Sequence, residues 1–406
     1  MRLLNATTLE VESFPPDATP QYAILSHRWT TDEVSFQDME RGTARAKGGF
    51  AKLKASCAIA RTEGLSHIWV DTCCIDKTSS AELSEAINSM FRYYQEAEIC
   101  YAYLHDASGE SDFLDSDWFD RGWTLQELVA PLYVRFYGGR WNAFGDRASL
   151  APGIEVKTGI ARAYLYGQET QDLGLASIAE RMSWAARRST TRPEDISYCL
   201  MGIFDIHMPL LYGEGAEKAF VRLQREILKD TTDESWLAWG DLPGKSMPET
   251  PEVEEDAGSE ALSSVLAKSP ANFWNCRDIV VCHTAEKTPI STSNLGIHVD
   301  FPEVSQSGHQ VLLLGCRWRH DYENVIGISV RSRMGRYYRA SMNTVLEPES
   351  SWSRAAKGTV KILGVDQYRE PENPMDSLYL IDSVDPRFAV LEEPAVSLTY
   401  RVVFYS

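Results

Sequence analysis

Tyr22-Ala-Ile-Leu-Ser-His-Arg-Trp29 is the stretch that decides the fold. Tyr22 to Ser26 is a short apolar run, read as a buried strand. It stops abruptly in Ser26, His27, Arg28 and Trp29, a polar and aromatic loop at the strand's carboxyl end. In open α/β sheets that end is where ligands bind. The pattern then repeats. Ile68-Trp-Val70 is a second buried strand, running into Asp71-Thr-Cys-Cys-Ile-Asp76. Between the two, Phe50, Leu53, Cys57 and Ala60 recur at helical spacing, and Gly64 supplies a stop. Ser79 with Glu82 resembles a capping box. Leu83, Ala86, Ile87, Met90, Phe91 and Tyr94 then mark one face of an amphipathic helix. Ile99 to Leu104 and Tyr133 to Tyr137 complete the set of strands. Alternation of strand and helix predicts an α/β domain over residues 1–150. Residues 1–21, polar and punctuated by Pro15, Pro16 and Pro20, read as an entry segment.

Further along, residues 151–240 turn helical. Leu175, Ile178, Ala179, Met182 and Ala186 form one stripe, and Phe220, Leu223 and Ile227 another. Thr191-Arg-Pro-Glu-Asp195 opens a helix between them. Residues 241–262, rich in Pro, Glu and Asp, read as an exposed linker. From 263 to 406 the pattern is short strands separated by turn residues: Ile279–Cys282, Val311–Leu314, Val325–Ile328, Val360–Leu363, Leu378–Ile381 and Ser397–Tyr405. An antiparallel β-sandwich or barrel is expected there.

Composition bounds the function. A chain of 406 residues is too long for one ordinary core. A net charge of −18 argues against a general nucleic-acid binder, since phosphate attraction needs a basic surface. No run of about 18 apolar residues is present, so no membrane span is expected. Polar Thr7, Thr8 and Glu10 follow the first residues too soon for a secretory leader. The eight cysteines show no zinc-type pairing, and no metal site is expected. Reduced thiols in the cytoplasm are the expectation.

One helix carries a candidate site. Phe119-Asp-Arg-Gly-Trp-Thr-Leu-Gln-Glu-Leu-Val-Ala-Pro131 places Trp123 and Glu127 four residues apart, on one face. Leu125 and Leu128 project away from Glu127 and can hold the helix against a core. Such a carboxylate either meets a cation or a sugar hydroxyl, or sits in an ordinary salt bridge. Other residues carry similar pairs of readings. Arg28 and the loop around it can hold a phosphate while Trp29 stacks on a base, or Trp29 can simply anchor the loop. Asp71 and Asp76 can reach a ribose hydroxyl or form turns. Cys73 and Cys74 read as buried packing, and His67 and His105 as ordinary histidines. Gly138-Gly139 and Gly213-Glu-Gly215 match no phosphate loop. Arg317-Trp-Arg-His320 reads as a solvated strand edge.

Taken together, four motifs resemble the fungal heterokaryon-incompatibility (HET) domain. They are Tyr22–Trp29, Ile68–Lys77, Ala81-Glu-Leu-Ser-Glu-Ala-Ile-Asn88 and Arg121–Pro131. Thr191–Asp195 and Leu211-Tyr-Gly-Glu-Gly-Ala216 resemble the helical extension common in such proteins. One departure is Arg28-Trp29-Thr30, where many members have a small residue before the Trp and Gly after it.

The resemblance implies a fold like that of Toll/interleukin-1 receptor (TIR) domains: a flavodoxin-like parallel sheet wrapped by helices. Several TIR domains hydrolyse NAD with a glutamate in a Trp-Cys-x-x-Glu-Leu pattern, and Trp123-Thr-Leu-Gln-Glu-Leu128 has the same spacing. By that resemblance Glu127 is the catalytic carboxylate, and Trp123 stacks on a base or walls the pocket. Ser26, His27 and Arg28 hold phosphate or ribose, and Asp71 or Asp76 shapes the pocket. NAD or NADP is then substrate, no cofactor is required, and the expected partners are further copies of the chain, in homo-oligomers on activation, and an upstream sensor protein. The alternative is a non-enzymatic module that self-associates and recruits a death effector.

Overall fold

The computed structural model describes residues 1–109, 111–167, 172–240, 265–282, 290–293, 296–306, 309–321, 326–333, 336–339 and 399–404. The chain divides into two compact units. One takes Met1–Leu173 and Arg187–Ala219, the other Gly174–Ala186 and Phe220–Ser406. The segment expected as one helical extension is thus shared between them.

The first unit is built on a seven-stranded sheet. In chain order its strands are β1 (Arg2–Asn5), β2 (Val11–Ser13), β3 (Tyr22–His27), β4 (His67–Trp69), β5 (Ile99–Leu104), β6 (Val134–Gly138) and β7 (Ala143–Asp146). Their order across the sheet is β2-β1-β4-β3-β5-β6-β7. The four central strands run parallel, while β1, β2 and β7 add antiparallel edges. Every residue of β3 is buried, as expected of a central parallel strand covered on both faces. After β3 the chain moves to one side to make β4, then crosses to the other side to make β5. The connections therefore diverge between β3 and β5, the kind of switch point beside which open α/β sheets bind ligands.

The crossovers are α1 (Phe36–Glu40), α2 (Phe50–Thr62), α3 (Asp71–Cys74), α4 (Ser80–Gln95) and α5 (Thr124–Val129), with α6 (Arg147–Thr158) following β7. α4 buries Ala86, Ile87, Met90 and Tyr94, the expected face. Ser79 caps it by accepting from the Glu82 amide at 3.3 Å. The reciprocal half of the box is missing, because Glu82 instead accepts from the Asp76 amide and pairs with Arg2. α6 starts on Asp146, which accepts from the Ser149 amide at 2.7 Å. It ends on Gly159, whose φ of 74° suits a residue without a Cβ.

Residues 1–21 are not an irregular entry segment. They supply β1 and β2, and Leu3 and Leu4 are fully buried. Two apolar residues make too short a pattern to signal a strand; pairing with β4 makes it one. The stretch after 172 is also less regular than its spacing suggests. Its helices are α7 (Ile178–Ser183), α8 (Asp195–Tyr198) and α9 (Ala216–Ile227), joined by 3-10 turns. Leu175, placed at the head of a stripe, is exposed. Gly202, Pro209, Gly213 and a left-handed Asp205 break the run.

In the second unit α7 is buried, and the Ser177 hydroxyl donates to the Ile279 carbonyl at 2.7 Å. The side-chain amide of Gln224 in α9 donates to the Ala267 carbonyl at 2.8 Å and accepts from the Ala267 N–H at 3.0 Å. Strands β8 (Ile279–Val281) and β12 (Cys316–Trp318) form a ribbon. β9 (Ser291–Ser293), β10 (Gly296–Gln306), β11 (His309–Leu313), β13 (Gly327–Arg333), β14 (Arg336–Arg339) and β15 (Thr399–Phe404) form one sheet, in order β11-β13-β14-β15-β10-β9. β10 also pairs with β11, so the pairings return to their start. The linker 241–262 and the strands expected at 360–363 and 378–381 lie outside the described residues. All eight cysteines are free thiols, and all but Cys282 are buried. No helix among the described residues is long and apolar enough to cross a membrane.

Candidate active site

Glu127 stands on α5, a helix of only six residues. Packing, not length, keeps it helical. Leu125 and Leu128 are fully buried, as their spacing predicts. Two buried arginines hold its ends. Arg188 donates to the Arg121 carbonyl at 2.9 Å and the Thr124 hydroxyl at 3.0 Å. Arg147 donates to the Leu128 carbonyl, and to the Leu165 and Leu132 carbonyls at 2.8 and 2.9 Å. A cation on the last carbonyls of a helix also complements its dipole. Burial pulls both guanidinium groups down to about 10, still charged at neutral pH.

The carboxylate faces β3. Ser26 donates its hydroxyl proton to Glu127, and the Trp118 indole N–H donates to the Ser26 oxygen at 2.7 Å. Glu127 is half-buried as a residue, while its carboxyl is packed as an interior group. Desolvation therefore dominates and pushes its pKa up to about 8. The hydrogen bonds from Ser26 and Tyr94 and the charge of Arg188 oppose that rise, while the charge of Asp71 adds to it.

A second group lies at the carboxyl ends of β3 and β4. His27, opposite Tyr103 in the β3–β5 register, is buried, and neither ring nitrogen has a hydrogen-bond partner. Its Nε2 is 3.9 Å from Glu33 Oε2 and 4.0 Å from Asp71 Oδ1. Desolvation first, then the positive charge of Lys52, lowers its pKa to about 3, so the ring is neutral. Lys52 pairs with Glu33 at 2.6 Å and Lys77 with Asp71 at 3.4 Å. The Lys77 ammonium also lies 3.3 Å from the centre of the Trp29 ring, an exposed indole that covers it.

The site residues expected from sequence thus fall into sets. Ser26 meets Glu127; His27 meets Asp71; Trp29 reaches Asp71 through Lys77. Arg28 turns outward to Asp117. Asp76 forms a turn, accepting from the Thr78 amide at 2.9 Å and Thr78 hydroxyl and Gln37 amide at 2.6 Å. Trp123 donates its indole N–H to Asp195 at 3.3 Å, beside Tyr212, which donates to the same carboxylate at 3.0 Å. Sequence reasoning missed Trp118, Glu33, Lys52, Lys77, Arg147 and Arg188. Trp118 lies just ahead of the Phe119–Pro131 stretch and carried a signal; the charged residues did not, because only burial distinguishes them from surface lysines and arginines. Among the described residues no cluster of His, Cys, Asp and Glu is arranged to hold a metal ion.

The first unit is thus an α/β domain with buried polar groups gathered at the carboxyl ends of its central strands. Residues 22–114, which supply most of those groups, match the family of the heterokaryon incompatibility protein (HET), so the chain carries a HET domain. Over 232 residues it is 47% identical to the vegetative incompatibility protein HET-E-1 of Podospora anserina. That match takes in 54% of this chain and 17% of the relative, so the chain spans a small part of the relative's length. Residues 218–301 match a domain of unknown function, DUF8212. No solved structure matches the chain.

Proposed function

We propose that this chain is a HET-domain effector of vegetative incompatibility, and that its first unit is a TIR-like domain cleaving NAD between nicotinamide and ribose. The biological role rests on the HET match and on the relative named for that process. The reaction rests on one observation: a buried carboxyl, Glu127, held by Ser26 beside the carboxyl end of β3. Nicotinamide in NAD is a cationic leaving group and departs with the bonding pair as a neutral base. The ribosyl centre becomes oxocarbenium-like, as in other glycosyl transfers. A carboxylate fixed next to it stabilises that charge. Water then adds to the sugar carbon and loses its proton, giving ADP-ribose. With a midpoint near 8, Glu127 is mostly protonated at neutral pH in the free protein. A cationic ring beside it favours the ionised form, so substrate charge itself brings the carboxylate into its active state.

The chemistry calls on no metal or cofactor, and NADP fits the same scheme. Assembly into homo-oligomers under an upstream sensor, in the cytoplasm, belongs to this reading. Nicotinamide release from NAD, followed over a range of protein concentrations, tests it. Glu127→Gln should lower turnover by on the order of 100-fold or more; full turnover in that variant overturns the mechanism.

Exposed Trp29 and Tyr133, large apolar side chains of the first unit, favour a second reading. In it the unit self-associates without turnover, and the Trp118–Ser26–Glu127 chain is structural. Concentration-dependent oligomers with no nicotinamide release would select it.

A further inference from the structure

His27, Glu33 and Asp71 converge from three different segments, and their geometry is that of a site rather than of a finished ion-pair network. The Nε2-to-carboxylate distances of 3.9 and 4.0 Å exceed any hydrogen bond. One oxygen atom placed among them reaches hydrogen-bond distance of His27 and either carboxylate. Both nitrogens of this fully buried ring are without a protein partner, which natural interiors seldom tolerate.

The charges around the gap define what it accepts. A cation there meets the ammonium groups of Lys52 and Lys77, and an anion meets Glu33 and Asp71. A neutral hydroxyl avoids both penalties. It donates to a carboxylate and accepts from an imidazole or ammonium N–H, so one atom type satisfies both sides. Two carboxylates, each already paired to a lysine, can receive two adjacent hydroxyls. Trp29 lies over Lys77 at the rim and holds its ammonium beside Asp71.

We propose that His27, Glu33 and Asp71, with Lys52 and Lys77, form a subsite for the vicinal diol of a sugar ring. The subsite rests on the proposed reaction only for the identity of that sugar, which there is the ribose carrying nicotinamide. Glu33 and Asp71 hold the hydroxyls, His27 is the partner between them, and each lysine pairs with one of the two carboxylates.

The test uses the full chain with labelled histidine and reads the His27 imidazole by nuclear magnetic resonance. Methyl β-D-ribofuranoside, a diol without a nucleotide, should shift the His27 signals, and its 2-deoxy counterpart should not. ADP-ribose should bind roughly ten- to a hundredfold more tightly than its analogue lacking the 2-hydroxyl on the terminal ribose, the range for a hydrogen bond to a charged group. Asp71→Asn and Glu33→Gln, which keep side-chain shape, should shrink that ratio towards one while thermal melting reports that each still folds. An unchanged ratio in both variants overturns the subsite, as does a His27 signal indifferent to every sugar, which would leave water alone as its partner. A response to the riboside without any binding of ADP-ribose would keep the subsite and overturn the NAD reading.

Discussion

Trp118 and Ser26 lie 92 residues apart in sequence, yet the indole N–H of one donates to the hydroxyl of the other at 2.7 Å. The Ser26 oxygen thus accepts from Trp118 on one side while its own proton goes to Glu127 on the other. A residue at the end of a central strand and a residue just before α5 therefore jointly set the state of a third.

Ser26→Ala removes both bonds at once. The serine bond holds the Glu127 pKa down, so its loss should move the midpoint above about 8. The stranded indole N–H and carboxyl should cost about 1–3 kcal/mol of stability. Titration of the Glu127 carboxyl by isotope-edited spectroscopy, with a thermal melt, checks both. A midpoint that stays or falls would refute the assigned direction.

Glu127 also predicts a pH dependence of stability. Its folded pKa, about 8, is raised above the ordinary 4.5. Between those values the folded chain binds the proton and the unfolded chain releases it, so this group's contribution makes stability fall as pH rises through that window. Below 4.5 it contributes no slope. Glu127→Gln should remove the dependence, gaining on the wild type by on the order of 1 kcal/mol per pH unit from about 5 to 8. Parallel melting curves of the two proteins across that range would contradict it.

Glu180 makes the equivalent argument in the second unit. Its carboxylate is buried and accepts two bonds from Arg319, at 2.9 and 3.0 Å. Desolvation nevertheless raises its pKa to about 7. The sign is the same, with stability falling between about 4.5 and 7. Arg319→Ala leaves the buried carboxylate without that cation and should destabilise by about 2 kcal/mol at pH 8, discounted because the arginine is partly exposed. At pH 5, where Glu180 is protonated, the loss should be smaller. Urea melts at the two pH values decide the matter.

Gly202 lies directly against α4: a Cβ there would come within 2.1 Å of Phe91 Cβ and 2.6 Å of its ring. Gly202→Ala must push the turn away from α4, at a cost of about 1–3 kcal/mol. In a double-mutant cycle read by thermal melts, Phe91→Ala relieves only the ring contacts, so Gly202→Ala should cost less in the Phe91→Ala background than in the wild type but still cost something.

The sequence made the central strands legible because a strand buried on both faces is a dense apolar run. β3 and β5 are of that kind, and β5 falls on the expected residues. β1 and β7 sit at or near an edge with mixed patterns, and they become strands only through their partners. The helix bearing Glu127 was visible from its i, i+4 spacing, though Trp123 turned out to be its cap residue and to face Asp195. Ser26 and His27 were visible as the polar end of an apolar run. Their partners Glu33 and Lys52 were not, because nothing in an isolated Glu or Lys announces that folding will bury it. Asp76 shows the converse: a site candidate by position, it is consumed by its own turn.

The sequence division of the units has a consequence for how the protein is made. Arg188 and Asp195, which grip the Arg121–Thr124 turn and Trp123, are translated after Gly174–Ala186, a segment that belongs to the other unit. While the ribosome is still short of residue 188, Glu127 exists on a helix whose leading end is unsecured. Residues 174–186 meanwhile wait for the strands and turns synthesised beyond residue 219. The hydrogen bonds that secure the leading end of the Glu127 helix can therefore close only once residues 188 and 195 have been synthesised.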